Sequence, residues 1–268
     1  GYRKRLASLL ATPMLWLGVA YLGALAALFL TSFWTVNAFG TGEIEQVWNL
    51  DNYRALFTIS VYRTITLRTL AIAIGVTVID ALLALPIALY MAKVASPRAR
   101  KWLVIGVLMP LWASYLVKAY AWRGLLSDAG PVAWLLRPLG LDTPGYGLTA
   151  TVITLAYLWL PYMILPMYAG LERLPDSLLD ASADLGARPW LTLRRVVVPV
   201  LWPAAVAGSI FTFSLPLGDY IAVKIVGGAN QMLGNVVYDN SGVAGNLPFA
   251  AAVAAIPVVI MVVYLALV

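Results

Sequence analysis

Six stretches of the chain run for about 20 residues or more with at most one charge, the length a helix needs to cross a hydrocarbon core about 30 Å thick. Residues 6–42, 143–171, 196–218 and 240–268 carry no charge, 69–92 holds only Asp80, and 102–122 only Lys118. The chain of 268 residues is 62% apolar and 11% charged. That is too few charges to clothe a soluble core, for which about 25% is usual. The sequence therefore predicts an all-α membrane protein, one domain over 1–268. Its six transmembrane helices are expected at about 12–34, 65–92, 101–122, 148–170, 200–222 and 246–268. The first follows Arg3, Lys4 and Arg5 as a signal peptide would, but its apolar run is too long for one, so it is read as a retained helix.

The chain has no Cys and no His. This excludes disulfide scaffolds and Cys-based redox or metal sites, and also Ser-His-Asp triads and most zinc and iron sites. A metal is not expected. The net charge of +6 could suggest nucleic acid, but the basic residues follow membrane topology instead. With the N-terminus inside, residues 1–12, 93–101 and 171–195 hold 11 of the 18 basic residues, and 93–101 has four with no acid. Both termini are thus expected in the cytoplasm. The chain begins at Gly1 and stops in an apolar run at Val268, so short native tails are expected beyond both ends.

Each crossing contains or begins with proline: Pro13, Pro86, Pro110, Pro161 with Pro166, Pro203 with Pro216, and Pro257. Each proline frees a carbonyl that a neighbouring helix, hydroxyl or water must satisfy. Kinked helices pack around cavities, although membrane helices also tolerate proline without one. No repeat of 20–50 residues is present.

The bend at 171–199 carries the sharpest local signals. Pro175 and Asp176 suit a helix start, where the missing N–H costs nothing and a carboxylate meets the positive end of the dipole. Leu178, Ser182 and Leu185 fall on one face, Gly186 supplies a left-handed stop, and Pro189 bars continuation. Ala181, Ser182 and Ala183 keep this short helix thin. Asp180 and Asp184, one turn apart, repel by about 0.2–0.5 kcal/mol, which a basic partner would relieve. Alternatively, it is a solvated loop helix whose charges face water.

Asp180-Ala181-Ser182 followed by Gly186 and then Val196-x-Val198-Pro199 resembles the EAA motif of the inner-membrane subunits of binding-protein-dependent ABC importers. Asp replaces Glu, Ser the second Ala, and Val both aliphatic positions, with the spacing intact. The resemblance implies a type I ABC importer permease fold whose bend is a coupling helix docking in a groove of a cytoplasmic ATPase. Asp180, Ala181, Ser182, Asp184, Leu185 and Gly186 would carry that contact. Residues 110–122, 160–166 and 217–220 with Gly227-Gly228 are similar to the spermidine/putrescine permease branch.

Charges inside a membrane are costly and mark candidate solute paths. Asp80 sits midway along the second crossing, either drawing a cationic solute or bonding helices through Thr77 or a neighbour. Asp219 follows the Pro216/Gly218 break, where a carboxylate suits an ammonium or else faces the periplasm. Lys118 would repel a cation unless it snorkels outward or pairs with Asp128 or Asp219. Trp112, Tyr115, Tyr120, Trp122, Trp159, Tyr162 and Tyr220 can build an aromatic cage for amines or an interfacial belt.

The chain lacks a Gly-x-x-x-x-Gly-Lys-Ser/Thr loop, so no cofactor is expected in it. ATP and Mg2+ would be held by two ATPase subunits. The resemblance implies further partners: a second six-helix permease subunit, making a heterodimer, and a periplasmic solute-binding protein. The expected setting is a bacterial inner membrane, with no nucleic acid bound. The function implied is uptake of a polyamine or similar small amine by alternating access, without enzymatic activity of the chain's own. The alternatives are a secondary transporter or channel driven by an ion gradient, and a membrane enzyme built on Asp80 and Asp219.

Overall fold

The computed structural model describes residues 2–37 and 42–268, with side chains from Leu9 onward. Arg3, Lys4 and Arg5, used above for orientation, lie outside the described side chains. Along the chain come α1 (Leu9–Thr31), the strands β1 (Thr35–Val36) and β2 (Ile44–Glu45), α2 (Asp51–Thr58) and α3 (Ser60–Val94). Then follow α4 (Pro97–Trp112), α5 (Tyr115–Leu126), α6 (Leu148–Glu172), α7 (Asp176–Asp184) and α8 (Pro189–Gly218). Last are α9 (Ile221–Val226), α10 (Leu233–Tyr238) and α11 (Leu247–Leu267). Among the described residues, α1, α3, α6, α8 and α11 are each long and apolar enough to cross a membrane.

The third of the expected crossings is a bent pair. The stretch expected as one helix at 101–122 is two, with Pro97–Trp112 and Tyr115–Leu139 at 98° to one another. Pro110 stays helical. The break falls at Ala113 and Ser114, both extended with ψ of 143° and 137°. Neither is a helix breaker, so local propensity does not set the bend; packing does. Ala119 and Leu126 of the second arm are buried with Ala150, Ile225 and Val226. The eight prolines named for the crossings all lie inside helices.

The chain packs as two compact units, residues 1–64 with 236–260, and 65–235 with 261–268. In the first, β1 and β2 pair antiparallel, Thr35 against Glu45 and Val36 against Ile44. The Asn52 amide bonds the carbonyls of Ser32 and Trp34, each at 2.9 Å. Phe33 packs on Phe29, Trp48 and Tyr53.

The second unit is built on α3, α6 and α8. Val76 shares a cluster with Leu155 and Leu158, and Ala84 and Ala88 share the next with Met163, Ile164 and Met167. Ascending numbers match ascending numbers, so α3 and α6 run parallel. Against α8 the order reverses. A Cβ on Gly170 would meet that of Ala204 at 2.8 Å, and one on Gly208 would meet Met163 Sδ at 2.8 Å and the Tyr162 carbonyl oxygen at 3.2 Å. Lipid gives helices no hydrophobic drive to associate, so close backbone approach at small residues holds them. Gly208→Val should therefore destabilise the purified chain by about 1–3 kcal/mol through overpacking. Thermal unfolding in detergent measures it against Gly106→Val, where a Cβ meets nothing within 4 Å. Equal midpoints for the two variants would refute this packing.

Candidate functional site

The bend between α6 and α8 is held by a few specific bonds. Pro175 enters in extended backbone, and Asp176 occupies the first turn of α7. At the other end Gly186 takes φ +73°. The Ala187 N–H reaches the Ser182 carbonyl at 3.1 Å and the Gly186 N–H the Ala183 carbonyl at 2.8 Å. This pair of bonds is the Schellman closure, which requires a left-handed residue between them. The Ser182 hydroxyl, buried, lies 2.8 Å from that of Thr192 and ties α7 to the turn after it.

Of the six residues assigned to ATPase contact, Asp180, Ala181, Asp184, Leu185 and Gly186 are exposed. Ser182 is turned inward and serves the bend itself. Leu185 is 88% exposed, an extreme value for leucine at the end of an ordered helix. Asp180 and Asp184 form no ion pair among the described residues. Leu178, Ala181, Leu185, Gly186, Leu191 and Arg195 line an open concavity of about 450 Å³. The bend thus offers an apolar hollow, a projecting leucine and two unpaired carboxylates.

Its root is fastened to the end of α3 and the start of α4. Lys93 Nζ donates to the Leu174 carbonyl at 2.6 Å and to Asp176 Oδ1 at 2.7 Å. Arg100 donates from Nε to the Met91 carbonyl at 3.0 Å and from Nη2 to that of Ala92 at 2.9 Å, closing the end of α3. Its Nη1 lies 3.9 Å from Glu172 Oε1.

The intramembrane candidates divide into two groups. The helix α8 ends at Gly218, and Asp219, only 8% exposed, turns back into the unit. Its Oδ1 accepts the Ala222 N–H at 3.0 Å, capping α9, and its Oδ2 accepts the Tyr115 hydroxyl. From half-buried Tyr115 a line of rings continues through the half-buried Trp159 and Tyr162 to the exposed Phe211, with centroids 5.9, 5.9 and 5.6 Å apart. Asp219, Tyr115, Trp159 and Tyr162 are therefore one constellation. Tyr220 follows directly, half-buried, its carbonyl held by Asn235 Nδ2 at 3.2 Å.

Trp112 and Asp80 stand apart from it. Trp112 is 81% exposed at the end of α4. Asp80 is fully enclosed between Val76 and Ala84, with neither oxygen hydrogen-bonded among the described residues. A bond through Thr77 is not made, because the Thr77 hydroxyl donates to the Ala73 carbonyl at 2.8 Å. Lys118 pairs with neither Asp128 nor Asp219 among the described residues; Thr143 holds Asp128 at 3.1 Å. Sequence reasoning missed Phe211, whose ring partner Tyr162 lies on another helix, and Asn235, which bonds back across a turn to Tyr220. It also missed Lys93, which counted only as topological charge.

Residues 73–268 match the family described as binding-protein-dependent transport system inner membrane component. The chain is 45% identical over 278 residues to the inner membrane ABC transporter permease protein YdcU of Escherichia coli (strain K12), covering 97% of this chain and 87% of that one. It is 32% identical over 209 residues to the spermidine/putrescine transport system permease protein PotB of Haemophilus influenzae, covering 76% and 72%. Its fold is similar, at TM-score 0.75 and 15% identity, to a chain of the bacterial alginate ABC transporter crystallised with an alginate pentasaccharide-bound periplasmic protein. That match covers 98% of this chain and 92% of that one.

Proposed function

Because the chain belongs to the family of binding-protein-dependent inner membrane components, and is thus a multi-pass ABC importer permease rather than an enzyme, we propose that it imports a small polyamine or similar amine. The observation that carries this is the buried Asp219 carboxylate at the head of the Tyr115, Trp159 and Tyr162 rings. Ring faces and a carboxylate attract an ammonium without requiring a rigid pose. Similarity to a permease named for spermidine and putrescine supports the same class.

The work of ATP is done elsewhere. The chain has no phosphate-binding loop, so ATP and Mg2+ belong to two ATPase subunits, and α7 is the element they grip. Asp180, Asp184 and Leu185 face outward for that contact, while Gly186 and Ser182 fix the shape presented. The four basic residues of 93–101 support a cytoplasmic location for that loop, the bend and both termini. A second six-helix subunit faces this one across the path, and a loaded periplasmic binding protein docks outside. Nucleotide closure then moves the bends, and the two permeases alternate between outward and inward access.

The test is ATPase activity of the reconstituted assembly with a panel of amines, amino acids and sugars presented by the binding protein. Stimulation by polyamines or small amines is expected. Stimulation by sugars alone would refute the solute class. No stimulation by any solute, with uptake that follows a proton or sodium gradient, would refute the ATP-driven mechanism.

A further inference from the structure

The contacts of Lys93 exceed what a topological charge needs. Its side chain is only 17% exposed, whereas that of its partner Asp176 is 79% exposed. The ammonium is therefore drawn in from solvent to reach two acceptors on either side of Pro175, the Leu174 carbonyl and Asp176 Oδ1. Beneath it, Met91 and Ala92 of α3 share one apolar cluster with Met167, Leu171, Leu174 and Val197. Arg100 closes the same end of α3 and lies beside Glu172. Without Lys93, α7 would keep the packing of Leu174 and Leu179 on that cluster and the Ser182–Thr192 bond near its far end, but its root would lose its polar tie to the end of α3.

Resting on the importer reading above, we propose that Lys93 is a positioning residue of the transmission. It locks the root of α7 to the end of α3, so that a displacement of the bend moves α3 and α6 together. The end of α3 is then a working part of the coupling device, acting through Asp176 and never touching solute or nucleotide.

The experiment uses the full assembly of this chain, its permease and ATPase partners and the loaded binding protein. It reads the ratio of stimulated to basal ATPase and the solute imported per ATP hydrolysed. Lys93→Met should lower both by about five-fold or more, the range of a modest coupling between sites. Lys93→Arg should retain most of the response, and Lys93→Asp combined with Asp176→Lys should recover it in part. Asp176→Asn, at an exposed position, gives a second reading should Lys93→Met fail to assemble; it should lower the ratio in the same direction. Wild-type ratios in assembled Lys93→Met or Asp176→Asn would overturn the proposal. So would a loss of assembled complex alone, with the ratio of the survivors unchanged. A wild-type assembly that shows no stimulation would instead overturn the importer reading, and this one with it.

Discussion

Gly186→Val is expected to cut uptake by about 30- to 150-fold while the crossings stay folded. Gly186 holds φ +73° and a Cβ there would meet nothing within 4 Å, so the penalty is conformational rather than steric. A left-handed residue with a Cβ costs about 1–2 kcal/mol, and a β-branched one is an outlier there. Abandoning that conformation forfeits the two closing bonds from Gly186 and Ala187, each worth about 0.5–1.5 kcal/mol. A nine-residue helix has little stability of its own to set against this. The last turn then unwinds, and Leu185 and Asp184 leave the surface they present. A loss of 2–3 kcal/mol corresponds to a fall of about 30- to 150-fold in uptake into vesicles bearing the full assembly. Asparagine, which tolerates the left-handed region, should be milder than alanine, and alanine milder than valine. Uptake that ignores this order would mean that the shape of the bend is not what the ATPase grips.

The second large effect is at Asp219. Leucine there leaves the buried Ala222 N–H and the half-buried Tyr115 hydroxyl without their acceptor. Each unsatisfied donor costs about 1–3 kcal/mol, so the chain should lose about 2–6 kcal/mol of stability in thermal unfolding. Asp219→Asn separates the two roles of the carboxylate. Its amide oxygen still accepts from Ala222 and its NH2 can meet the Tyr115 oxygen, so stability changes little. The negative charge is gone, and the KM for a polyamine should rise about ten-fold, the loss of one charge-assisted contact of about 1.4 kcal/mol. An unchanged KM in a folded Asp219→Asn assembly would leave Asp219 a capping residue and nothing more.

What could be read in advance was whatever is written locally. The stop at Gly186, the start at Pro175 and the break at Pro216/Gly218, inside a crossing expected to run to 222, each rest on a residue whose backbone preference acts over one turn. The structure has a helix end at each place. The bend at Ala113 and Ser114 left no such mark, because the packing that sets it involves Ile225 and Val226, more than a hundred positions away. The same distance hid the bond from Tyr115 to Asp219, which lie 104 residues apart. Periodicity places a side chain on a face of its own helix and is silent about which helix that face meets. Thr77 is instructive from the other side. It looked like a partner for Asp80, but a helical threonine can satisfy itself on the carbonyl four residues back, and this one does.

The sealed position of Asp80 bears on how the chain is made. Val76 and Ala84, one turn to either side of it, pack with residues of α6, which is synthesised later. When α3 enters the lipid, its acid has no enclosure yet. An aspartate at mid-helix adds about 2.5–3.5 kcal/mol to insertion, against about 0.3–0.6 kcal/mol gained for each Leu, Ile or Val. Residues 69–92 contain eleven of those three types and no other charge, which offsets one carboxylate with little to spare. A second acid in that stretch would leave the nascent segment outside the bilayer before the rest of the protein existed to shelter it.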